Sequence, residues 1–198
     1  MTSIVDVWNL ALAMLAQDEE MTDPQDRSTK AGRLCGRFWP QVRDEVLQAG
    51  AWACVTKRAS LAADGNPVAF QHSGRTRFPL PSDCVRPLAL SQDGEATGAP
   101  VPFEREGRSL LVAAQAPLFI RYISRDVPVN AWDAELIHAA SSLLAKYLAV
   151  PLTGKNSERD RMEVEAQKAL ILAEVRDAKS AQPPDVMPGG WLDARGER

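Results

Sequence analysis

The sequence has three cysteines, two histidines and two tyrosines, and no surplus of basic residues. Each shortage removes a class of function. Cys35, Cys54 and Cys84 are odd in number and widely spaced, so they fit no disulfide framework and no Cys-x-x-Cys redox pair; they suit reduced thiols in a protein made in a cytoplasm. His72 and His138 stand far apart, and neither has a Cys or carboxylate at metal-ligand spacing. A net charge of −3 gives no general electrostatic grip on nucleic acid, which normally shows as a basic domain. No unbroken run of about 20 apolar residues predicts a membrane span. The opening Met-Thr-Ser-Ile-Val-Asp-Val-Trp lacks a basic n-region and predicts no secretory leader. There is no Gly-x-Ser-x-Gly elbow and no His-Glu-x-x-His helix. Gly154-Lys155 ends like a phosphate-binding loop, but the required upstream Gly is missing and Asn156 stands in place of Ser or Thr. The expectation is therefore no enzyme, no catalytic residue, no cofactor and no metal.

What is present is helical periodicity at both ends and strand-like runs between them. The central stretch is Asp23 to Trp52, in which Ala31, Leu34, Cys35, Phe38, Trp39, Val42, Val46, Leu47 and Ala49 recur as one apolar helix stripe. Asp23-Pro24 is the expected start and Gly50 the expected stop. Pro40 lies inside this pattern, where it removes a backbone donor and crowds the carbonyl of Gly36. A glycine there eases a bend, so the expectation is one helix kinked at Gly36 and Pro40; two short helices meeting at Pro40 are the alternative. An earlier helix over residues 3–16 opens on a Ser3/Asp6 capping box and buries Ile4, Val5, Trp8, Ala11, Leu12 and Leu15. Asp18-Glu19-Glu20 reads as a solvated loop.

Between 53 and 127 the runs Val55–Leu61, Val68–Gln71, Val85–Leu90, Val101–Glu106, Ser109–Ala113 and Leu118–Ser124 read as strands, with turns at Asp64-Gly65, Asp93-Gly94 and Glu106-Gly107. Leu118–Ser124 is apolar on both faces and should be central. Phe78-Pro79-Leu80-Pro81 should be an edge or crossing segment, since Pro cannot donate to a ladder. Helical period returns at Asn130, an expected N-cap, and ends at Pro151. A fourth helix starts with a Ser157/Asp160 cap and carries small apolar residues, Met162, Ala166, Ala169, Leu170 and Ala173. The predicted fold is α+β: an antiparallel bundle of about four helices (residues 1–52 and 128–180), interrupted by a small β domain (53–127), with an extended tail (181–198).

That tail holds Pro183, Pro184, Pro188 and Gly189-Gly190, which block regular structure, beside Val186, Met187, Trp191 and Leu192, which need burial. Two readings stay open: a tail folded back on its own domain, or one docked on a partner. With five Trp against two Tyr, and a β region flanked by helical halves, the composition points to protein interaction, and Val186, Met187, Trp191 and Leu192 are the candidate partner-binding residues.

These features, in their order, resemble the head-to-tail adaptor proteins of short-tailed bacteriophages, including the tail tubular protein A group and the P22-type adaptors. Trp8-Asn9-Leu10-Ala11-Leu12 resembles the family's opening helix. Ala31, Cys35, Phe38 and Arg43-Asp44-Glu45-Val46-Leu47 resemble its second. Ala51-Trp52 with Lys57-Arg58 and Leu61 resembles the exit into the first strand, Phe78 to Cys84 the middle of the β region, and Tyr122-Ile123 with Trp132-Asp133 the approach to the third helix. The resemblance implies a structural virion protein at the head–tail junction, made in the host cytoplasm. Its implied partners are further copies of itself in a ring, commonly twelve-membered, the portal protein above, and a tail nozzle or tail tube protein below. Double-stranded DNA would pass through the channel without specific binding, and no membrane is involved. The rival readings are a tail-completion or connector protein of a long-tailed phage, a small hydrolase with an unrecognised carboxylate site, and a helical DNA-binding regulator. The acidic balance and the lack of a basic recognition helix argue against the last.

Overall fold

A computed structural model describes residues 2–65, 74–94 and 100–180. The chain is α+β, with four helices and two three-stranded antiparallel sheets. Helix α1 spans Ile4–Met14 and opens on the expected capping box, the Ser3 side chain accepting from the Asp6 amide while the Asp6 carboxylate accepts from the Ser3 amide. Its buried face is Val7, Trp8, Ala11 and Leu12, with Leu15 just beyond its end. Asn9 then fixes the acidic loop, its amide donating to the Met21 carbonyl (2.9 Å) and its carbonyl accepting from the Met21 amide (2.8 Å).

Helix α2 is Lys30–Ala49, so it starts later than Asp23-Pro24 suggests. Asp23 and Asp26 instead accept from the amides of Gln25 and Ser28, both at 2.8 Å. Such local turns compete with helix for the same amides, and the cap falls to Thr29, whose hydroxyl accepts from Gly32. The helix runs through Pro40 as one piece, in line with the single-helix reading. Pro40 is exposed, so water can serve the acceptor its ring leaves unpaired. Gly50 ends α2, but in an extended conformation rather than a left-handed one. Its lack of a side chain has a different cause. The Trp52 indole folds back to donate to the Val46 carbonyl (2.8 Å), and a Cβ on Gly50 would meet that ring at 2.5 Å.

Strands β1 (Thr56–Leu61), β3 (Cys84–Ser91) and β6 (Leu118–Ser124) form one sheet in the order β1-β6-β3, with β6 central as its two-sided apolar pattern requires. Strands β2 (Thr76–Pro79), β4 (Phe103–Glu106) and β5 (Ser109–Val112) form the other, in the order β2-β5-β4. Phe78-Pro79 therefore lies on an edge strand, as expected. Pro87 also sits on an edge, in β3, between two register shifts. Those shifts turn Val85 and Leu88 toward the helices, while Cys84 and Leu90 pack between the sheets with Phe78, Leu110, Val112, Leu118, Ile120 and Tyr122. The expected strand Val68–Gln71 lies outside the described residues.

Helix α3 is Ala134–Thr153, with Asp133 as N-cap and Gly154 closing it in the left-handed region at φ 73°. Asn130 is not the cap: residues Val129–Ala131 form a separate 3-10 turn that delivers the Trp132 indole to within 6.1 Å of Trp39. Pro151 does not end the helix either, and lies inside its last turn. Helix α4 (Asn156–Ser180) begins so soon after Gly154 that Ser157 is already helical rather than a cap. The sequence has no unbroken apolar run, yet α3 is long and apolar enough to cross a membrane by length and composition; over half of that window is buried. Trp8, Leu136 and Leu143 share one core with Val55, Val85 and Ile123, and Phe38 packs against it, so helices from both ends of the chain and the β1-β6-β3 sheet close on common ground. Transfer of this much aliphatic and indole surface from water is the main force holding the remote segments together.

Candidate functional site

Gly36 and Pro40 occupy neighbouring turns of α2, but Gly36 answers to a second constraint. A Cβ there would come within 2.2 Å of the Arg27 guanidinium, which lies 5.9 Å from the Trp8 ring centroid. The glycine thus makes room for a cation over an indole, an attraction worth roughly 0.5–1 kcal/mol at a partly exposed site. The partner-binding candidates Val186, Met187, Trp191 and Leu192 lie outside the described residues.

Asp83 carries the densest polar cluster. Its carboxylate accepts from Ser124 Oγ (2.6 Å), from Tyr122 Oη (3.2 Å) and from Lys57 Nζ (3.3 Å), and Lys57 also faces Asp126 at 3.7 Å. Burial works to raise the Asp83 carboxyl, but hydrogen bonds from Ser124, Lys57 and Tyr122 outweigh it and hold the group below the usual carboxylate value. Burial and the Asp83 charge push the Tyr122 phenol up to about 12. Ser, Lys and Asp in hydrogen-bond contact suggest nucleophile chemistry, yet Ser124 is fully buried and its proton points at the carboxylate. No substrate can reach it. The cluster ties β1, β3 and β6 together and is a structural joint. The thiols are similarly withdrawn: burial pushes Cys35 up to about 12 and Cys54 up to about 11, and raises Cys84.

Two surfaces remain open. The first is the outer side of α4. Met162, Ala166, Ala169 and Ala173 face α3, and the three alanines let the two helices approach closely. The opposite side exposes Val164, Ile171 and Val175 at 50%, 62% and 45%, while Leu172 lies on the flank beside Ala134, Glu135 and His138 of α3. Their spacing puts Val164, Ile171 and Val175 on one stripe. The small residues of this helix are plain in its sequence, whereas the larger ones on its far side show only in a full helical projection. The second surface is a groove of about 410 Å³ on the β1-β6-β3 sheet, bordered by Arg58, Arg121, Ser60, Ser91, Phe119 and Pro100. No sequence signal announced it, because it depends on strand register.

At the joint between helices and sheet, Arg125 bridges to Asp44 at 2.7 Å and the Ala53 amide donates to Asp177 at 2.8 Å. On α2, Phe38 stacks on Tyr147 of α3 at 5.6 Å, and the Tyr147 hydroxyl donates to Glu45 at 2.8 Å. Among the described residues, no cluster of three or more His, Cys, Asp or Glu side chains could hold a metal ion. No protein-family model matches the sequence, and no curated protein matches it.

Proposed function

We propose that this chain is a structural virion protein, a head-to-tail adaptor whose copies form a ring that joins the portal to the tail and extends the DNA channel. The observation that carries the reading is the outer stripe of α4. Val164, Ile171 and Val175 stand nearly half or more exposed along one side of a 25-residue helix whose other side is already packed. A line of exposed aliphatic side chains on one helix side marks an interaction site. The order of elements supports it further, because helices from both chain ends flank a β region in the sequence order of the adaptor resemblance. Ring closure takes two different faces per subunit. The α4 stripe supplies one of them. Net charge fits as well: copies of a −3 chain sum to a strongly negative assembly, and a wall that repels phosphates lets DNA slide where a basic lining would hold it. The test is an electron micrograph of the protein mixed with portal rings. Rings of this protein stacked on portals are expected; particles that never associate with portals would overturn the reading.

A further inference from the structure

The ladder places Arg58 of β1 directly opposite Arg121 of β6, with Ser60 opposite Phe119 one pair further on. Directly opposed residues of an antiparallel pair share a face, so both arginines stand on the same side of the sheet. Like charges in that position repel, and neither guanidinium has a hydrogen bond or ion pair among the described residues. Both border the groove, whose wall also includes the Phe119 ring. A groove with two unmatched cations and an aromatic wall suits a segment that carries a carboxylate next to large apolar side chains.

The chain itself has such a segment, and it sets out from close by. The Asp177 carboxylate, in the last turn of α4, accepts from the Ala53 amide at 2.8 Å, and Ser180 lines a small cleft beside Trp52. Arg58 is five residues beyond Ala53, and Asp185 is five residues beyond Ser180. Five extended residues reach about 17 Å in each case. The sequence beyond Ser180 sets Asp185 beside Val186-Met187, and Asp193 beside Trp191-Leu192. Pro183, Pro184 and Pro188 restrict the free segment and so reduce the entropy lost when it binds.

We propose that the groove over β1 and β6 is the docking site for residues 183–193 of the same chain, with the Asp185 carboxylate between Arg58 and Arg121 and Trp191 against the Phe119 side. This inference does not depend on the adaptor reading. It gives the tail an address within its own subunit.

Chymotryptic cleavage after Trp191 in the full-length protein tests it. Cleavage should be slower than in a free peptide of residues 181–198. Asp185→Lys, a change in the tail alone, and Arg121→Glu, a change in the groove alone, should each speed cleavage about tenfold, as loss of one charge-assisted contact predicts. Combining Arg121→Glu with Asp185→Lys should restore protection, a rescue that general loosening of the sheet cannot give. Protection should not depend on protein concentration. Equal cleavage of chain and peptide, unchanged protection in both single variants, or protection that grows with concentration and so reveals a second copy as host, would each overturn the proposal.

Discussion

Asp83 shows how a single carboxylate can hold three strands. It accepts from groups on β1 and β6 while its own backbone carbonyl accepts from the Arg125 amide at 2.9 Å. Replacing it by Asn keeps the shape and removes the charge that Lys57 and the two hydroxyls satisfy. Asp83→Asn should cost about 1–3 kcal/mol at pH 7, read from urea midpoints. The pH dependence has a definite sign. A carboxyl held below its unfolded value of 3.8 contributes stability at pH values above that figure, and the contribution is lost as pH falls through the lower folded value. The gap between wild type and Asp83→Asn should therefore be full at pH 7 and shrink below about pH 4. A gap that stays constant to pH 2 would show that packing, not charge, sets the cost. The thiols give a second check at this scale. With Cys35 pushed up to about 12 and Cys54 up to about 11, neither forms much thiolate at pH 8. A thiol reagent should label the half-buried Cys54 first and Cys35 only as fast as the protein opens.

Helix α2 shows which parts of an element can be read from sequence. Most of its stripe was legible because period 3.6 survives local detail: Ala31, Cys35, Trp39, Val42, Val46 and Leu47 are buried, Leu34 and Phe38 on its borders are half-buried, and Ala49 at its end is exposed. Its start was not, because Asp23-Pro24 and Thr29 both carry N-cap chemistry, and only the turns made by Asp23 and Asp26 decide between them. The same ambiguity moved the start of α3 from Asn130 to Asp133. The central place of β6 and the edge place of Phe78-Pro79 were legible, since burial on two faces and a missing donor leave direct marks in sequence. The arginine-bordered groove was not, because pairing Arg58 with Arg121 requires the register of two strands far apart in the chain to be known. Pro40 tests the helix itself. A mid-helix Pro costs about 3 kcal/mol relative to Ala in an ideal helix, and this one is exposed in an unbroken α2. Pro40→Ala should raise the subunit's stability by roughly 1–3 kcal/mol, and a helix straightened by the change should assemble less well. If stability rises and ring formation is untouched, the proline has no assembly role.

At the scale of the molecule the question is what covers α4. Its inner side packs through alanines against α3, and Lys146–Glu163 at 2.7 Å and Arg176–Glu135 tie the two helices together. None of that stability draws on Val164, Ile171 or Val175, which leave about half of their surface to water. A helix selected only for solubility would carry polar side chains at those places. Covering three aliphatic residues of this size is worth several kcal/mol of transfer free energy per contact, before ordering costs. In a ring each subunit makes the contact twice, once with each neighbour, so a modest pairwise gain becomes a cooperative one. The double variant Ile171→Lys with Val175→Lys should leave the subunit within about 0.5 kcal/mol of wild type, as exposed substitutions usually do. It should also reduce ring formation, measured by sedimentation and by micrographs of mixtures with portal rings. Ile171→Leu, which keeps the apolar surface, should assemble normally. Intact rings from the lysine variant would remove α4 from the subunit interface and with it the main structural support for the adaptor reading.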